Sequence, residues 1–167
     1  FDNGAHNFPS FNAWRALTSF ESVVAARDSE VDYVSTGFPE RLPAALVSED
    51  FFRVLGAAPH LGRLFTPSDY TSGAATTVVG YGAWLRLWGA DPSLVGRTIS
   101  LDGTPTVVVG VMGDEFSPPE IETGHRVDAW LPLVATQDER INHGFRALGV
   151  IGRLASGTSL ETAQAEV

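Results

Sequence analysis

DPSLVGRTISLDGTPTVVVGVM, residues 91–112, reads as a helical turn, a strand, a tight turn and a second strand. Asp91 can cap the turn, Pro92 suits its first position and Gly96 can end it. Asp102-Gly103 lies between two apolar runs, a hairpin signal because glycine tolerates positive φ. Val107, Val108, Val109 and Val111 are β-branched, which predicts a central strand buried on both faces. Two registers fit. A two-residue loop sets Ile99 beside Thr106. A three-residue loop, residues 101–103, sets Ile99 beside Pro105 and groups Arg97 with Val107. The second sorts polar from apolar more cleanly, the first suits Asp-Gly better, and the sequence leaves the register open.

Working outward, Tyr81, Trp84, Leu85 and Trp88 form the stripe of an amphipathic helix that Gly89 stops, after a short strand at residues 77–79. Residues 57–75, punctuated by Pro59, Gly62, Pro67 and Gly73, read as a long irregular connection. Before it, Ser48 opens a helix whose buried side is Phe51, Phe52 and Leu55, with Glu49 and Asp50 at its positive end. Strands are expected at residues 20–26, 31–36 and 41–47, with a turn at 37–40. Residues 8–17 read as a helix through Phe8, Phe11 and Trp14. Downstream, residues 114–126 with Pro118-Pro119 read as an exposed loop. Strands follow at 127–133, carrying Trp130, and at 146–154. Thr158 opens a last helix, with Glu161 completing a capping box. This order predicts an α+β fold of two lobes. Residues 77–139, containing the Asp102-Gly103 hairpin, form an inserted lobe, and residues 1–76 with 140–167 build the other.

The chain has 167 residues, 44% hydrophobic and 19% charged, enough for one substantial core or two small ones. No apolar run is long enough to span a bilayer. A start at Phe1 and a stop at Val167 inside an apparent helix read as a segment of a longer protein. The formal net charge of -9 repels nucleic acid and anionic membrane surfaces. All eleven basic residues are arginine, so no lysine Schiff base and no phosphate-loop lysine arises from this segment. Cysteine is absent, which rules out disulfides and thiolate metal sites within it.

The search for chemistry yields weak signals. No His-Glu-x-x-His pair, Gly-x-Ser-x-Gly elbow or phosphate-binding glycine loop occurs. His6, His60, His125 and His143 lie far apart, and a metal or catalytic role requires them to converge with Asp69 or Asp138. Glu120 and Glu122 are two apart in a proline-bounded loop, which favours a solvated face over a glycosidase pair. Ser117, His125 and Asp128 form a triad only by composition. Trp14, Trp84, Trp88 and Trp130 read as core. Arg63 is expected to pair with Asp69 through its forked donors. No catalytic, cofactor or metal residue is assigned.

Taken together, several motifs resemble a known family. They begin with Phe11-x-x-Trp14, Ser19-Phe20-Glu21 and Val47-Ser48-x-x-Phe51-Phe52-x-x-Leu55-Gly56. They continue with Pro59-x-x-Gly62-Arg63-x-Phe65, Asp69, Trp84 and Gly89-x-Asp91-Pro92-x-x-Val95-Gly96-Arg97-Thr98. Leu101-Asp102-Gly103-x-Pro105-x-x-Val108-Val109-Gly110-Val111-Met112 follows. Asp128-x-Trp130-Leu131-Pro132-Leu133 and Arg153-Leu154-x-x-Gly157, leading into Ala163-Gln164-Ala165, close the set. In order and spacing they resemble the extracytoplasmic core domain of MacB-type ABC transporter permeases, of the FtsX-like group. Gly113 stands where that family has proline, and the opening strand and both flanking membrane helices are not in the segment.

The resemblance implies a domain on the periplasmic side of the cell membrane, between the first two transmembrane helices of a permease. It implies a porter-like βα lobe with a smaller mixed lobe inserted. ATP is then hydrolysed in a separate domain or chain, while this domain is non-catalytic. It relays conformational change during efflux and contacts substrate or partner proteins. Implied partners are a second copy of the parent permease, an ATP-binding subunit or domain, and a periplasmic adaptor or lipoprotein, with no nucleic acid and no cofactor. Two alternatives stand beside it. One is a secreted hydrolase built on Asp69, Glu120, His125 or His143; the other is a ligand-sensing domain with an apolar pocket between the lobes.

Overall fold

Strand β6 (Thr104–Met112) is the element on which the sheet is assembled. Its valines need cover on both faces, and in the computed structural model, which describes residues 5–35, 37–71, 73, 75–117 and 126–167, they receive it. Val108 and Val111 join one buried cluster, Val109 and Met112 another. A β-bulge opposite Thr77 and Val78 shifts the register, which lets both Val108 and Val111 face the first cluster. β6 pairs with β5 (Thr98–Leu101) and, further along the same edge, with β3 (Pro59–Gly62), and with β4 (Thr76–Val79) on the opposite edge.

The β5–β6 turn settles the register that the sequence leaves open. Leu101 faces Thr104 and Ile99 faces Thr106, the two-residue loop. Asp102 and Gly103 have φ of +50° and +74°, the double positive that a primed hairpin turn needs. Ile99, Leu101, Thr106 and Val108 are buried, while Pro105 is exposed.

Eight strands form one mixed sheet. The remaining strands are β1 (Phe20–Val34), β2 (Pro39–Val47), β7 (Ala129–Pro132) and β8 (Gly149–Leu154). Hydrogen bonding runs β1–β2–β7–β4–β6–β5 and returns to β1 through Tyr33 and Leu101, so these strands close a circuit. β8 attaches outside it, on the first half of β1. The expected strands at residues 20–26 and 31–36 are one continuous strand of 15 residues, because both halves of β1 find partners across the polar stretch at residues 27–30.

Inside the circuit lie Val31, Tyr33, Leu42, Ala44, Val79, Ile99, Leu101, Val108 and Ala129, packed against helix α3 (Tyr81–Trp88). Ala83 and Trp84 are the buried contacts of α3, with Leu87 and Trp88 beside them, whereas Leu85, expected in the buried stripe, is 46% exposed. Small Ala83 lets the helix axis approach the strands, which turns Leu85 outward. Both indoles keep a partner: Trp84 Nε1 donates to the Asp91 carbonyl at 2.9 Å and Trp88 Nε1 to Tyr33 Oη at 3.1 Å. The outer face is covered by α2 (Phe51–Val54), with Phe51 and Phe52 against Trp130. Helix α1 (Phe8–Arg15) covers the β8 end through Phe8 and Phe11, capped by Asn7.

Several helix ends differ from expectation. The Ser48 hydroxyl accepts from the Ala25 amide at 2.8 Å instead of capping α2, whose N-cap is Asp50 at φ +66°. The connection 57–75 contains β3 and a 3-10 turn, Pro67–Tyr70. Helix α4 (Gln137–Ile141) was not expected; Thr136 and Glu139 cap it reciprocally. The last helix, α5 (Leu160–Glu166), is capped by Ser159, not by Thr158. Gly113 donates its amide to the Ala58 carbonyl at 3.2 Å, a bond that proline at this position cannot make. The expected loop at residues 114–126 lies mostly outside the described residues. Segments 1–76 with 140–167 and 77–139 meet within this sheet, along β2–β7, β1–β5 and β3–β6.

A Cβ on Gly110 would sit 2.2 Å from the Arg63 carbonyl oxygen, and one on Gly82 would meet only the Arg126 side chain at 3.7 Å. Gly110→Ala is therefore expected to cost about 1–3 kcal/mol in urea unfolding. Gly82→Ala, in an exposed first turn, is expected to be neutral or to gain up to ~1 kcal/mol. Equal midpoints for the two variants would contradict the close approach of residue 63 to β6.

Candidate functional site

Two buried carboxylates are the most constrained polar groups among the described residues. Gly62 at φ +68° turns the chain out of β3, and the Arg63 amide bonds the Val109 carbonyl at 2.9 Å. The guanidinium then forks onto Asp69, Nη1 to Oδ2 at 2.7 Å and Nη2 to Oδ1 at 3.1 Å, the pairing read from the sequence. The Thr66 amide and hydroxyl also donate to Oδ2, at 2.7 and 2.8 Å. The Asp69 side chain is only 4% exposed. Burial pushes its carboxyl up, but the hydrogen bonds from Arg63 and Thr66 outweigh this and hold it well below the usual carboxylate range. Asp69 is thus a fixed anion at neutral pH, unsuited to general acid or base work.

Asp128 is fully buried and stands just before β7. Its Oδ2 accepts from Arg86 Nη2 at 2.5 Å and from Arg126 Nη2 at 3.1 Å. Its Oδ1 lies 2.7 Å from Arg126 Nε, an ion pair without the alignment of a hydrogen bond. Arg86 also holds Glu40 at the start of β2. The Asp128 amide donates to the Pro43 carbonyl at 2.8 Å, and its carbonyl accepts from Gly80 at 2.9 Å. β2, β7 and the start of α3 are therefore tied at one point. A comparable tie, Arg27 to Glu139, joins β1 to α4.

Among the described residues, the sequence-based candidates form no group that could hold a metal. His6 packs edge-on against Trp14 at 4.6 Å, and His60 stands against Tyr81 and Trp84 at 5.1 and 5.2 Å. His143 is exposed, and its carbonyl accepts from Asn7 Nδ2. Asp69 is engaged by Arg63, and Asp138 lies in the first turn of α4. Ser117 is exposed, whereas Asp128 is locked by arginines. Glu120, Glu122 and His125 lie outside the described residues. Among the described residues no group of His, Asp and Glu could hold a metal, and no helix is long and apolar enough to cross a membrane. The Arg86–Asp128–Glu40 knot had no sequence signal beyond the local Arg126-x-Asp128, since its partners are distant in the chain. Glu139 could have been found through Thr136-x-x-Glu139.

The fold is that of transporter outer domains. Residues 3–167 match the MacB-like periplasmic core domain family, and the chain belongs to it. It is similar in structure to the periplasmic region of MacB from Actinobacillus actinomycetemcomitans. The TM-score is 0.74 at 18% identity, over 97% of this chain and 71% of that one. It is also similar to the extracellular domain of the ABC-type transporter YknZ from Gram-positive bacteria. There the TM-score is 0.71 at 15% identity, over 98% of this chain and 83% of that one. No curated protein matches the sequence.

Because Asp69 is depressed in the folded chain, its contribution to stability is complete above the unfolded carboxylate pKa, about 4, and is lost as pH falls below that value. Asp69→Asn is expected to lower stability at neutral pH by about 2 kcal/mol, the scale of a lost hydrogen bond to a charged group. It should also flatten the stability profile below about pH 4 relative to the parent. An unchanged acid limb in urea melts across that range would show that the clasp carries no such linkage.

Proposed function

We propose that this domain acts as a non-catalytic lever in an ABC transporter permease, passing conformational change from the membrane to the extracytoplasmic side and contacting substrate or partner proteins during export. The observation that carries this reading is the closed circuit of strands, tied at the buried Asp128 by arginines from α3 and from just before β7, within a family of transporter periplasmic domains. A lever must not yield along its length, and closure removes the soft edges at which a sheet opens. In this proposal residues 1–76 with 140–167 and residues 77–139 are two lobes held rigid to each other by the β2–β7, β1–β5 and β3–β6 seams. The ATP-binding domain or subunit, a second permease copy, and an adaptor or lipoprotein are its neighbours. Of the residues named for the hydrolase alternative, Asp69 is engaged by Arg63 and Thr66 and His143 is exposed, while Glu120 and His125 lie outside the described residues.

Glu40 and Arg86 link the two segments across a seam and are both partly exposed. These 167 residues contain no cysteine, so once any cysteine elsewhere in the permease is replaced, Glu40→Cys with Arg86→Cys can be bridged selectively by a reducible bifunctional thiol reagent. Arg126 still faces Asp128 in that variant. In the full-length permease reconstituted in proteoliposomes, the unbridged variant is expected to transport several-fold less per ATP hydrolysed, and bridging should restore the ratio until reductant is added. Unaltered coupling without the bridge, or transport blocked by the bridge, would overturn the stiff lever.

A further inference from the structure

We infer that the tip of the β1–β2 hairpin, headed by Phe38, is a docking element for another protein that presents an apolar pocket edged by lysine or arginine. This rests on the transporter reading above and names the surface and the chemistry of its partner. Phe38 is 86% exposed, more than any other large apolar side chain among the described residues, and Val34 beside it is 42% exposed. Covering a phenylalanine from water is worth about 1.5–3 kcal/mol, which the domain alone forgoes here. The turn itself does not ask for an aromatic. Its special backbone position is Gly37, at φ +95°, and turn chemistry favours small polar residues.

The stem beneath the tip is held in place. β1 and β2 pair without a break from Ala26–Val47 to Val34–Pro39. Behind the tip, the Tyr33 hydroxyl accepts from Trp88 at 3.1 Å. The Asp102 amide donates to the Asp32 carbonyl at 2.9 Å, and the Asp32 amide to Asp102 Oδ1 at 2.8 Å. The second hairpin thus buttresses the first. A paired and buttressed stem reduces the backbone freedom lost when the tip binds.

The surrounding charge selects the partner. Arg41 lies 3.1 Å from Asp32 and 3.7 Å from Glu30, and Asp102 adds to the field that raises its pKa. Glu40 is taken by Arg86, which also serves Asp128. Glu30, Asp32, Glu40 and Asp102 therefore outnumber Arg41 and Arg86 around an uncharged tip. Such a rim contributes to orientation and encounter rate more than to affinity, and it favours a cationic opposite face. A second copy would bring the same surplus against itself under a net charge of -9, and an anionic bilayer would repel it.

The test places photoreactive benzoylphenylalanine at position 38 of the full-length permease in cell membranes, with Ile141, 73% exposed, as the control position. The expected result is a position-38 adduct with a different protein, joined at a peptide containing lysine or arginine. Its yield should fall several-fold when Glu30→Lys and Asp32→Lys are added, and by an intermediate amount with Glu30→Gln and Asp32→Asn. The inference is overturned by any of four results: no protein adduct, an adduct of permease with permease, an adduct with lipid alone, or a yield that ignores the charge changes. It is equally overturned if position 141 gives the same adduct. Such a failure leaves the coupling ratio of the bridged Glu40 and Arg86 variant untouched, so the docking element and the lever are judged separately.

Discussion

A strand that is apolar on both faces cannot lie at a surface, and β6 is such a strand. Val108 and Val111 are fully buried in one cluster while Val109 and Met112 are buried in the other. At about 25 cal/mol per Å² of apolar area removed from water, each such side chain is worth roughly 1.5–3 kcal/mol. The two covers differ in kind. On one face the sheet bends back until β1 meets β5, and α3 fills the enclosed space with Ala83 and Trp84. On the other, α2 lays Phe51 and Phe52 against Trp130 and the outer side of the strands. The ring closes at its narrowest seam through Tyr33–Leu101 and the Asp32–Asp102 backbone contact.

Closure creates a second problem, which is where the chain's charge goes. Asp69 and Asp128 are buried, and an unpaired buried carboxylate costs several kcal/mol. Each is met by arginine. The planar fork satisfies both oxygens of Asp69, a geometry that a point-like ammonium cannot reproduce. At Asp128 one arginine reaches from α3 and the other from two residues upstream, so the carboxylate ties elements distant in sequence. These contacts are clasps between strands and loops. They suit a body that keeps its shape while neighbours move, the role we propose for this domain.

What the sequence revealed follows the range of each interaction. The Asp102-Gly103 hairpin was legible because turn chemistry and β-branching are local. Its register was not, because the polar pattern favoured the three-residue loop and Asp-Gly the two-residue one; the pairing of Ile99 with Thr106 and the positive φ of Asp102 settle it. The Arg63–Asp69 pair was legible because its partners are only six residues apart in the chain. The Ser48 cap was misread because the hydroxyl's partner, the Ala25 amide, comes from another strand. β1 was divided in two because Arg27, Asp28, Ser29 and Glu30 interrupt its apolar pattern, although β2 pairs across them. The Arg86 knot spans β2, α3 and β7, and no spacing announces it.

The central claim is that the strand circuit opens as one unit. Native-state hydrogen exchange over a urea series tests it most directly, by comparing amides of β6 and β7 with those of β1 and β2. The account predicts that all four strands exchange through one global opening with the same free energy and the same urea dependence. A lower opening free energy for β6 and β7 than for β1 and β2 would contradict it, because residues 77–139 would then come loose while the rest of the sheet stayed folded.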